Sequence, residues 1–167
     1  MDKKISIVVI IVLLLVVAGL SAYLFFELSQ REETPPPEET MTVKVFFNNS
    51  KMGDNYDCNQ VVAVNRTIPK TTAVARAALE QLFAGPTQAE LAEGYFTSIN
   101  SGVIIQSLTI DDGTARADFN EQLEFQIGGS CRVAAIRAQI RETLEQFPTV
   151  TNVIISINGR TEDILQP

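Results

Sequence analysis

Apolar and polar positions divide the chain into parts with different patterns. Residues 1–4 are mostly polar, and an uncharged apolar run then extends from Ile5 to Phe26. Residues 27–41 are rich in proline and glutamate, a composition typical of a linker. Residues 42–167 place apolar side chains with the periods of helices and strands. The pattern therefore predicts one folded domain that follows an apolar segment and a linker.

The apolar run is long enough to cross a lipid bilayer as a helix. Its 22 residues span about 33 Å at about 1.5 Å per residue, and the hydrocarbon core of a bilayer measures about 30 Å. A cleaved signal peptide has a shorter apolar region, of about 7–15 residues. We therefore expect Ile5–Phe26 to be an uncleaved transmembrane helix that contacts the lipid bilayer.

The charges around the apolar run predict its orientation. Lys3 and Lys4 precede it, whereas Arg31 stands among several glutamates after it. Because positively charged flanks stay on the cytoplasmic side, we expect residues 1–4 in the cytoplasm and the domain outside it. This predicts a single-pass protein of the cell membrane. The linker, with Pro35–Pro37 at its centre, is either a spacer through an envelope layer or a simple tether.

The periodicity in the rest of the chain predicts an α+β domain. One amphipathic helix begins after Thr71 or Thr72 and ends at Gly85, and another runs from Cys131 to Gln146 behind an N-cap at Ser130. The predicted strands are Val43–Phe47, Val61–Val64, the two arms of Val103–Phe119, and Val153–Ile157. The order β-β-α-β-β-α-β predicts a two-layer sandwich, with both helices on one face of a mixed, partly antiparallel sheet.

Two short motifs add local detail. Thr87 and Glu90 have the spacing of a capping box, which predicts a short helix that ends at Glu93. Asp112-Gly113 is typical of a type I′ hairpin turn, because both positions tolerate positive φ. The hairpin register opposes Ile110 to Ala115, Leu108 to Ala117 and Gln106 to Phe119 on one face, and places Ser107, Thr109, Arg116 and Asp118 on the other. A polar tail is expected after Asn158-Gly159.

Composition and charge exclude several classes of function. The 167 residues include no histidine and no tryptophan, 13 basic and 20 acidic side chains, and a net charge of −7. Without histidine the chain has no Ser-His-Asp or Cys-His catalytic system, and two cysteines do not suffice for a cysteine zinc site. The negative charge argues against nucleic acid as a partner. No metal or cofactor is predicted.

Cys58 and Cys131 are the two cysteines, and both follow the predicted anchor. In an extracytoplasmic compartment a disulfide between them can persist. One alternative is a pair of free thiols. Another is redox chemistry at Cys131, because a helix N-terminus lowers the pKa of a thiol. The spacing and compartment favour a structural disulfide.

The start of the last long helix is a candidate anion-binding or ligand-binding site. Gly128, Gly129 and Ser130 offer backbone amides there, and Arg132 adds a cation. The alternative is an ordinary glycine turn with an N-cap.

Acidic clusters offer two further possibilities. Asp54-Asn55-Tyr56-Asp57 could supply oxygen ligands to calcium, although a solvated turn is the preferred interpretation because only two carboxylates are present. Asp118 with Glu121 or Glu124 could hydrolyse glycans, but no positioned acid–base pair or cleft is evident. We therefore expect the protein not to be an enzyme.

Several motifs together resemble a known family. The segment Leu82–Thr87 with Glu90 is similar to a signature L-x-x-GPT-x-x-E-x-x-G, with Gly94 one position later than its last glycine. The hairpin resembles the G-x-A-x-V-D-F motif of the same family. Further matches are Gly129-Ser130, Thr143-Leu144, Gln146-Phe147-Pro148, Val150 and Val153–Gly159. The chain thus resembles the GerMN domain family of sporulation and spore-germination proteins over about residues 43–159. Asn100 stands where that family usually has proline.

The resemblance implies a fold and a role. GerMN domains are extracytoplasmic, are anchored by a membrane helix or a lipid, and resemble the ring-building motif of envelope-spanning complexes. This implies a non-catalytic module of the cell envelope that acts by assembly or binding.

Two functional hypotheses remain open. In the first, the face with Ser107, Thr109 and Arg116, or an edge of the sheet, pairs with an envelope protein or with another copy of the chain. In the second, the domain binds peptidoglycan, another wall polymer or a small ligand through Arg132 and the Gly128–Gly129 loop. Exposed aromatics that could stack on sugars are few, with Tyr56 and Tyr95 in loops.

Overall fold

The first of the two units of the chain contains a helix with exposed apolar side chains. The computed structural model describes residues 2–29, 38–52 and 57–166, and within the first helix the side chains of residues 11–27. The units are Met1–Glu38 and Glu39–Pro167. Helix α1 (Asp2–Ser29) belongs to the first unit, and its large apolar side chains from Ile11 to Phe26 are more than half exposed.

The predicted membrane span is not confirmed. In the described part of the chain, no helix has both the length and the apolar character needed to cross a membrane. Ile5–Phe26 lies within α1, and its insertion into a bilayer stays a prediction. Most of the predicted linker, residues 30–37, lies outside the described residues.

The second unit has the predicted α+β class and element order, with one short strand added. Its elements are β1 (Thr40–Asn49), β2 (Val62–Pro69), α2 (Val74–Phe83), α3 (Gln88–Ala92), β3 (Tyr95–Phe96), β4 (Ile105–Asp111), β5 (Thr114–Phe119), α4 (Ser130–Glu145) and β6 (Asn152–Ile157), with a 3₁₀ turn at Glu121–Leu123. The described strands form two three-stranded sheets, ordered β2-β1-β3 and β4-β5-β6. Among these strands, only the β5–β6 pair is parallel. The single sheet expected from the sequence is therefore divided in two.

Side chains of α4 and of the residue after it explain this division. The edge of β1 opposite β2 would be available to the second sheet, but Gln146 and Thr143 occupy it. Gln146 Oε1 accepts from Lys44 N (2.8 Å) and its Nε2 donates to Lys44 O (2.6 Å). Thr143 Oγ1 accepts from Phe46 N (3.3 Å). Lys44 and Phe46 on this edge are thereby satisfied by side chains, while β3 pairs with the end of the same edge at Asn48 and Asn49.

The core lies between the helices and the inner faces of both sheets. Helices α2 and α4 contact each other and β1, while α4 also contacts β6 and α2 contacts β4. The predicted apolar stripes are buried, with Leu79 and Leu82 of α2 and Ile136, Ile140 and Leu144 of α4 fully enclosed. Ala115, Ala117 and Phe119 of β5 close the core from the second sheet. This arrangement leaves the opposite face of β4-β5-β6 toward solvent.

The helix ends agree with the sequence prediction in part. The capping box is confirmed, since Thr87 Oγ1 accepts from Glu90 N and the Glu90 carboxylate accepts from Thr87 N. Ser130 is wrong as an N-cap, because it is the first residue of α4 and Gly129 (φ +87°) holds the N-cap position. Neither threonine caps α2, which begins behind Ala73. Gly129 adopts the positive φ that glycine tolerates, and no side chain caps the start of α4.

The hairpin turn is confirmed and its register is corrected at one end. Asp112 (φ +45°) and Gly113 (φ +77°) both have the positive φ that the turn requires. Ile110 opposes Ala115 and Leu108 opposes Ala117 as predicted. A bulge follows, so Ile105 rather than Gln106 opposes Phe119. The bulge places Ile105 in the core and turns Gln106 outward.

The composition of the C-terminal tail predicted a polar segment, but the tail also contributes apolar side chains to the core. Ile164 and Leu165 are buried in the core, at 2% and 3% exposure. Leu165 N donates to Glu124 Oε2 (3.3 Å), and Arg137 Nη2 donates to Ile164 O (3.1 Å). Glu124 also pairs with Arg160. These contacts fold the tail back over the 3₁₀ turn and α4.

Candidate functional site

The structure brings the residues of the predicted interaction face together. Ser107, Thr109 and Arg116 are exposed on the solvent side of the β4-β5-β6 sheet, with Thr109 directly opposite Arg116. Asp118 on the same face accepts from Ser156 Oγ (2.6 Å) and Gly159 N (2.8 Å). The face is therefore largely polar, with Arg116 as a cation on β5 beside the half-buried Ile154 of β6.

Strand β4 forms one edge of this sheet, beside an open cleft. Among the described strands, the order β4-β5-β6 gives β4 one neighbour. The cleft, about 270 Å³, lies between α2 and the start of β4 and is lined by Arg76, Glu80, Phe83, Val103, Ile104 and Ile105. Ile104 is 61% exposed and Ile110 on β4 is 40% exposed. The sequence analysis did not predict the cleft. A signal was present, because Val103, Ile104 and Ile105 are consecutive apolar residues, whereas a strand buried on one face alternates apolar and polar residues.

The candidate anion-binding site has an open loop, but its cation is already bound. Apart from the adjacent residues in the chain, no atom of the described residues lies within 4 Å of a Cβ placed on Gly128 or Gly129. Arg132 Nη2 donates to Asn100 Oδ1 (2.8 Å) and its Nε to Ser98 O (3.3 Å). These bonds use guanidinium donors that an anion would need. Anion binding at Gly128, Gly129, Ser130 and Arg132 stays a prediction.

Asn100 has a structural role at the position where it departs from the family. Its Nδ2 donates to Gln122 O (2.9 Å) and Phe125 O (2.8 Å), while its Oδ1 accepts from Arg132. One side chain thus joins its own turn to the segment around the 3₁₀ turn and to the first turn of α4. The hydrogen bonds replace the rigidity that a proline would give to this turn.

The predicted disulfide between Cys58 and Cys131 is confirmed. The Cα atoms are 5.2 Å apart, and the bond joins the loop before β2 to the first turn of α4. The carbonyl of Cys58 also accepts from Asn48 Nδ2 (3.4 Å), which donates to Gln60 O (3.0 Å) as well. Both thiols are consumed in the bond, so its evident role is to hold this loop against α4.

A buried polar pair lies between β1 and α4. Asn48 and Gln139 are fully buried, and Gln139 Nε2 donates to Asn48 Oδ1. Thr97 Oγ1 donates to Gln139 Oε1 (2.8 Å), so both amides have partners. Sequence reasoning missed the pair, although Gln139 stands between Ile136 and Ile140 on the apolar stripe of α4. The pair fixes the end of β1 relative to α4.

An ion pair of low exposure connects β2 to α3. Arg66 Nη2 donates to Glu90 Oε2 (2.6 Å) and its Nη1 to Oε1, while the guanidinium carbon lies 5.8 Å from the centre of the Phe47 ring. The hydrogen bond from Arg66 is the main cause that holds the pKa of Glu90 below its usual value, against the effect of burial. Glu90 of the family signature is therefore a structural residue.

Asp118 and Glu124 of the acidic clusters are engaged in hydrogen bonds and an ion pair. Within the described ranges, no three potential ligands among histidine, cysteine, aspartate and glutamate are grouped so as to hold a metal ion. Asp54, Asn55 and Tyr56 of the candidate calcium loop lie outside those ranges. Asp118 is bound by Ser156 and Gly159, and Glu124 by Arg160 and the tail. These two carboxylates thus have structural partners.

Comparison with known proteins establishes the family. Residues 44–163 match the family described as Germane: Sporulation and spore germination. The chain therefore belongs to the Germane family, as its resemblance to GerMN domains indicated. Among curated proteins, none matches the chain.

Two solved structures from Bacillus subtilis share the fold. The tandem GerMN domains of the sporulation protein GerM are 24% identical with a TM-score of 0.60, over 77% of this chain and 43% of that one. The first GerMN domain of the same protein is 25% identical with a TM-score of 0.57, over 72% of this chain and 85% of that one. The chain thus spans less than half of the tandem structure and corresponds to one GerMN domain.

Proposed function

We propose that this chain is a membrane-anchored, extracytoplasmic, non-catalytic interaction module of the bacterial cell envelope, which docks a protein through its second sheet. The observation that carries the proposal is the exposed polar face of β4-β5-β6, with Ser107, Thr109 and Arg116 beside the open edge of β4. Such faces and edges offer unpaired backbone groups and adaptable side chains to a protein partner. Membership of a sporulation and germination family supports an assembly role.

Two features support the location. The sequence from Ile5 to Phe26 carries no charge, and the described apolar side chains of α1 are exposed within their unit. A lipid environment would cover them. The Cys58–Cys131 disulfide favours an oxidising compartment, because disulfides are rare in the cytoplasm.

In vivo photocrosslinking of the full chain tests the interaction. A photoreactive residue at Thr109 or Arg116 should give a discrete protein adduct, and one at the exposed Lys70, directly after β2 of the other sheet, should not. Protease added to spheroplasts should digest the domain from outside. If no adduct forms at Thr109 or Arg116, the interaction proposal fails.

The wall-binding hypothesis has a separate readout. The wall-binding hypothesis predicts that purified cell wall retains the full chain. It also predicts that Arg132→Ala loses this retention and that Arg141→Ala keeps it. Arg141 is a matched control because it is an exposed arginine on the same helix, where it pairs with its near neighbours Glu142 and Glu145. The bonds that Arg132 makes to Ser98 and Asn100 argue for the interaction module instead.

A further inference from the structure

The outward edge of β4 has backbone groups at alternate residues that no strand in the described part of the chain pairs with. Asp111 and Thr114 flank the two-residue turn and pair across it, and Thr109 opposes Arg116 in the same ladder. In an antiparallel strand the N–H and C=O groups of successive residues point to opposite sides. The groups of Leu108 and Ile110 therefore point away from β5. Among the described residues, Arg76 reaches this edge, where its Nη1 donates to Ile105 O (3.3 Å).

The contrast with β1 shows that this edge is left open. On the edge of β1 opposite β2, side chains of Gln146 and Thr143 bind the backbone, and β3 pairs with the end of the strand. Edge strands are commonly protected by proline, lysine or an inward charge. From Ser107 to Asp111, the sequence of β4 has its single charge at the end that meets the turn. Its centre is an uncharged, partly exposed strand.

The sequence of β4 is complementary to itself in one antiparallel register. When Leu108 faces Ile110 of a second copy, Ile110 faces the second Leu108, and both pairs lie on the inner, apolar side. Thr109 then faces Thr109 on the outer side. Asp111 faces Ser107, so no like charges are opposed. The partly exposed Ile110 would be covered by an apolar side chain.

The same register brings opposite charges together at both ends. It carries the turn residue Asp112 of each copy past Ser107 of the other, toward the bulge and the carbonyl of Ile105 to which Arg76 donates. The Arg76 side chain is 39% exposed, and its Nη1 lies 3.8 Å from Glu80 Oε1. A guanidinium has five N–H donors, so Arg76 has donors left for a second carboxylate. The cleft between α2 and residues 103–105 gives the incoming turn space. The two-fold axis repeats this contact.

We infer that the partner of the β4 edge is a second copy of this chain, joined by antiparallel β4–β4 pairing into a six-stranded sheet with Thr109 opposite Thr109. The inference rests on the proposed function, because it specifies the partner of the same sheet. The two polar faces become one continuous surface across the dimer.

Disulfide crosslinking of the full chain tests the register. In a non-hydrogen-bonded antiparallel pair the Cα atoms are about 4.5 Å apart, a distance that a disulfide can bridge. Thr109→Cys should therefore give a covalent dimer on mild oxidation. Ser107→Cys is the matched control, because the two copies of residue 107 would lie about 14 Å apart, about four residues along the strand. Native Cys58 and Cys131 are already paired.

Sedimentation equilibrium of the full chain in detergent micelles tests the edge. Ile110→Lys places a charge at the centre of the pairing and should weaken dimerisation by about tenfold or more, because lysine on an edge strand opposes pairing. Thr114→Lys adds the same charge one strand inward, on β5, and should leave dimerisation unchanged. Both variants keep α1, so association through that helix affects them equally.

The outcomes separate this inference from the proposed function. The β4–β4 dimer is supported if Thr109→Cys forms a covalent dimer, Ser107→Cys does not, and Ile110→Lys weakens dimerisation. Equal crosslinking of both cysteines, or dimerisation unaffected by Ile110→Lys, overturns it. If Thr109→Cys gives no dimer while the photocrosslinker at Thr109 captures a different protein, the inference fails and the proposed function stands. If neither the cysteine crosslink nor the photocrosslink yields an adduct, the inference and the proposed function both fail.

Discussion

Arg66 on β2 holds Glu90 at the first turn of α3 through two hydrogen bonds, and both side chains are 12% exposed. The same carboxylate accepts from Thr87 N (2.8 Å) and closes the capping box. Glu90 therefore stabilises the start of α3 and also connects this helix to β2. The Phe47 ring below the guanidinium adds a cation–π contact.

Glu90→Gln should destabilise the domain by about 1.5–3 kcal/mol, because hydrogen bonds to charged groups contribute about that much. The amide keeps one acceptor for Thr87 N but leaves Arg66 without its counter-charge. Chemical denaturation would measure the change. Glu93→Gln, at an exposed position at the end of the same helix, is the control and should have little effect. Equal stability of both variants would contradict the role assigned to Glu90.

The ion pair also predicts a pH dependence. Because the hydrogen bond from Arg66 lowers the pKa of Glu90, folding is favoured where the carboxylate is ionised. The contribution is fully present above the unfolded pKa, about 4.3, and is lost as the pH falls through the lowered folded value. The stability difference between the wild type and Glu90→Gln should thus be constant near neutral pH and shrink below about pH 4. Urea denaturation across this range would measure it, and a difference that does not change would argue against the ion pair.

The disulfide should stabilise the domain by about 2–4 kcal/mol, because it restricts the unfolded chain over a sequence separation of 73 residues. We expect Cys58→Ala/Cys131→Ala to lose this amount in denaturant unfolding. Adding a reductant should lower the stability of the wild type toward that of the double variant and leave the variant unchanged. A wild type that is insensitive to reductant while its thiols become alkylatable would contradict the expectation.

Thr143→Val tests how α4 closes the edge of β1. The substitution preserves shape but removes the oxygen that accepts from Phe46 N, and an unsatisfied buried donor costs about 1–3 kcal/mol. Thermal unfolding should show the loss. Thr143→Ser keeps the hydroxyl and should retain this hydrogen bond, losing only the packing of one methyl group. If valine is tolerated better than serine, the hydroxyl does not satisfy the edge.

Features set by neighbouring residues could be predicted from the sequence. The capping box of Thr87 and Glu90 and the Asp112-Gly113 turn depend on local geometry, and both are confirmed. The two cysteines could be paired because few alternatives existed. The outer face with Thr109 followed from simple alternation along a strand.

Features set by distant residues could not be predicted. The division into two sheets depends on Gln146 reaching Lys44, 102 positions away. The bonds that hold Arg132 depend on Asn100, 32 residues earlier, so the openness of the anion site could not be judged from its own segment. The cleft beside β4 exists because α2 packs near residues that the chain reaches much later. The local pattern of apolar and polar residues carries no information about contacts between residues that are distant in the sequence.

The buried tail changes where this domain should be taken to end. The family match stops at residue 163, immediately before Ile164 and Leu165, which are almost inaccessible to solvent. A form of this chain that ends at residue 163 would lose two core side chains, and its free energy of unfolding would underestimate that of the whole domain. Stability measurements on this domain therefore need a chain that retains the hydrophobic pair beyond the recognised boundary.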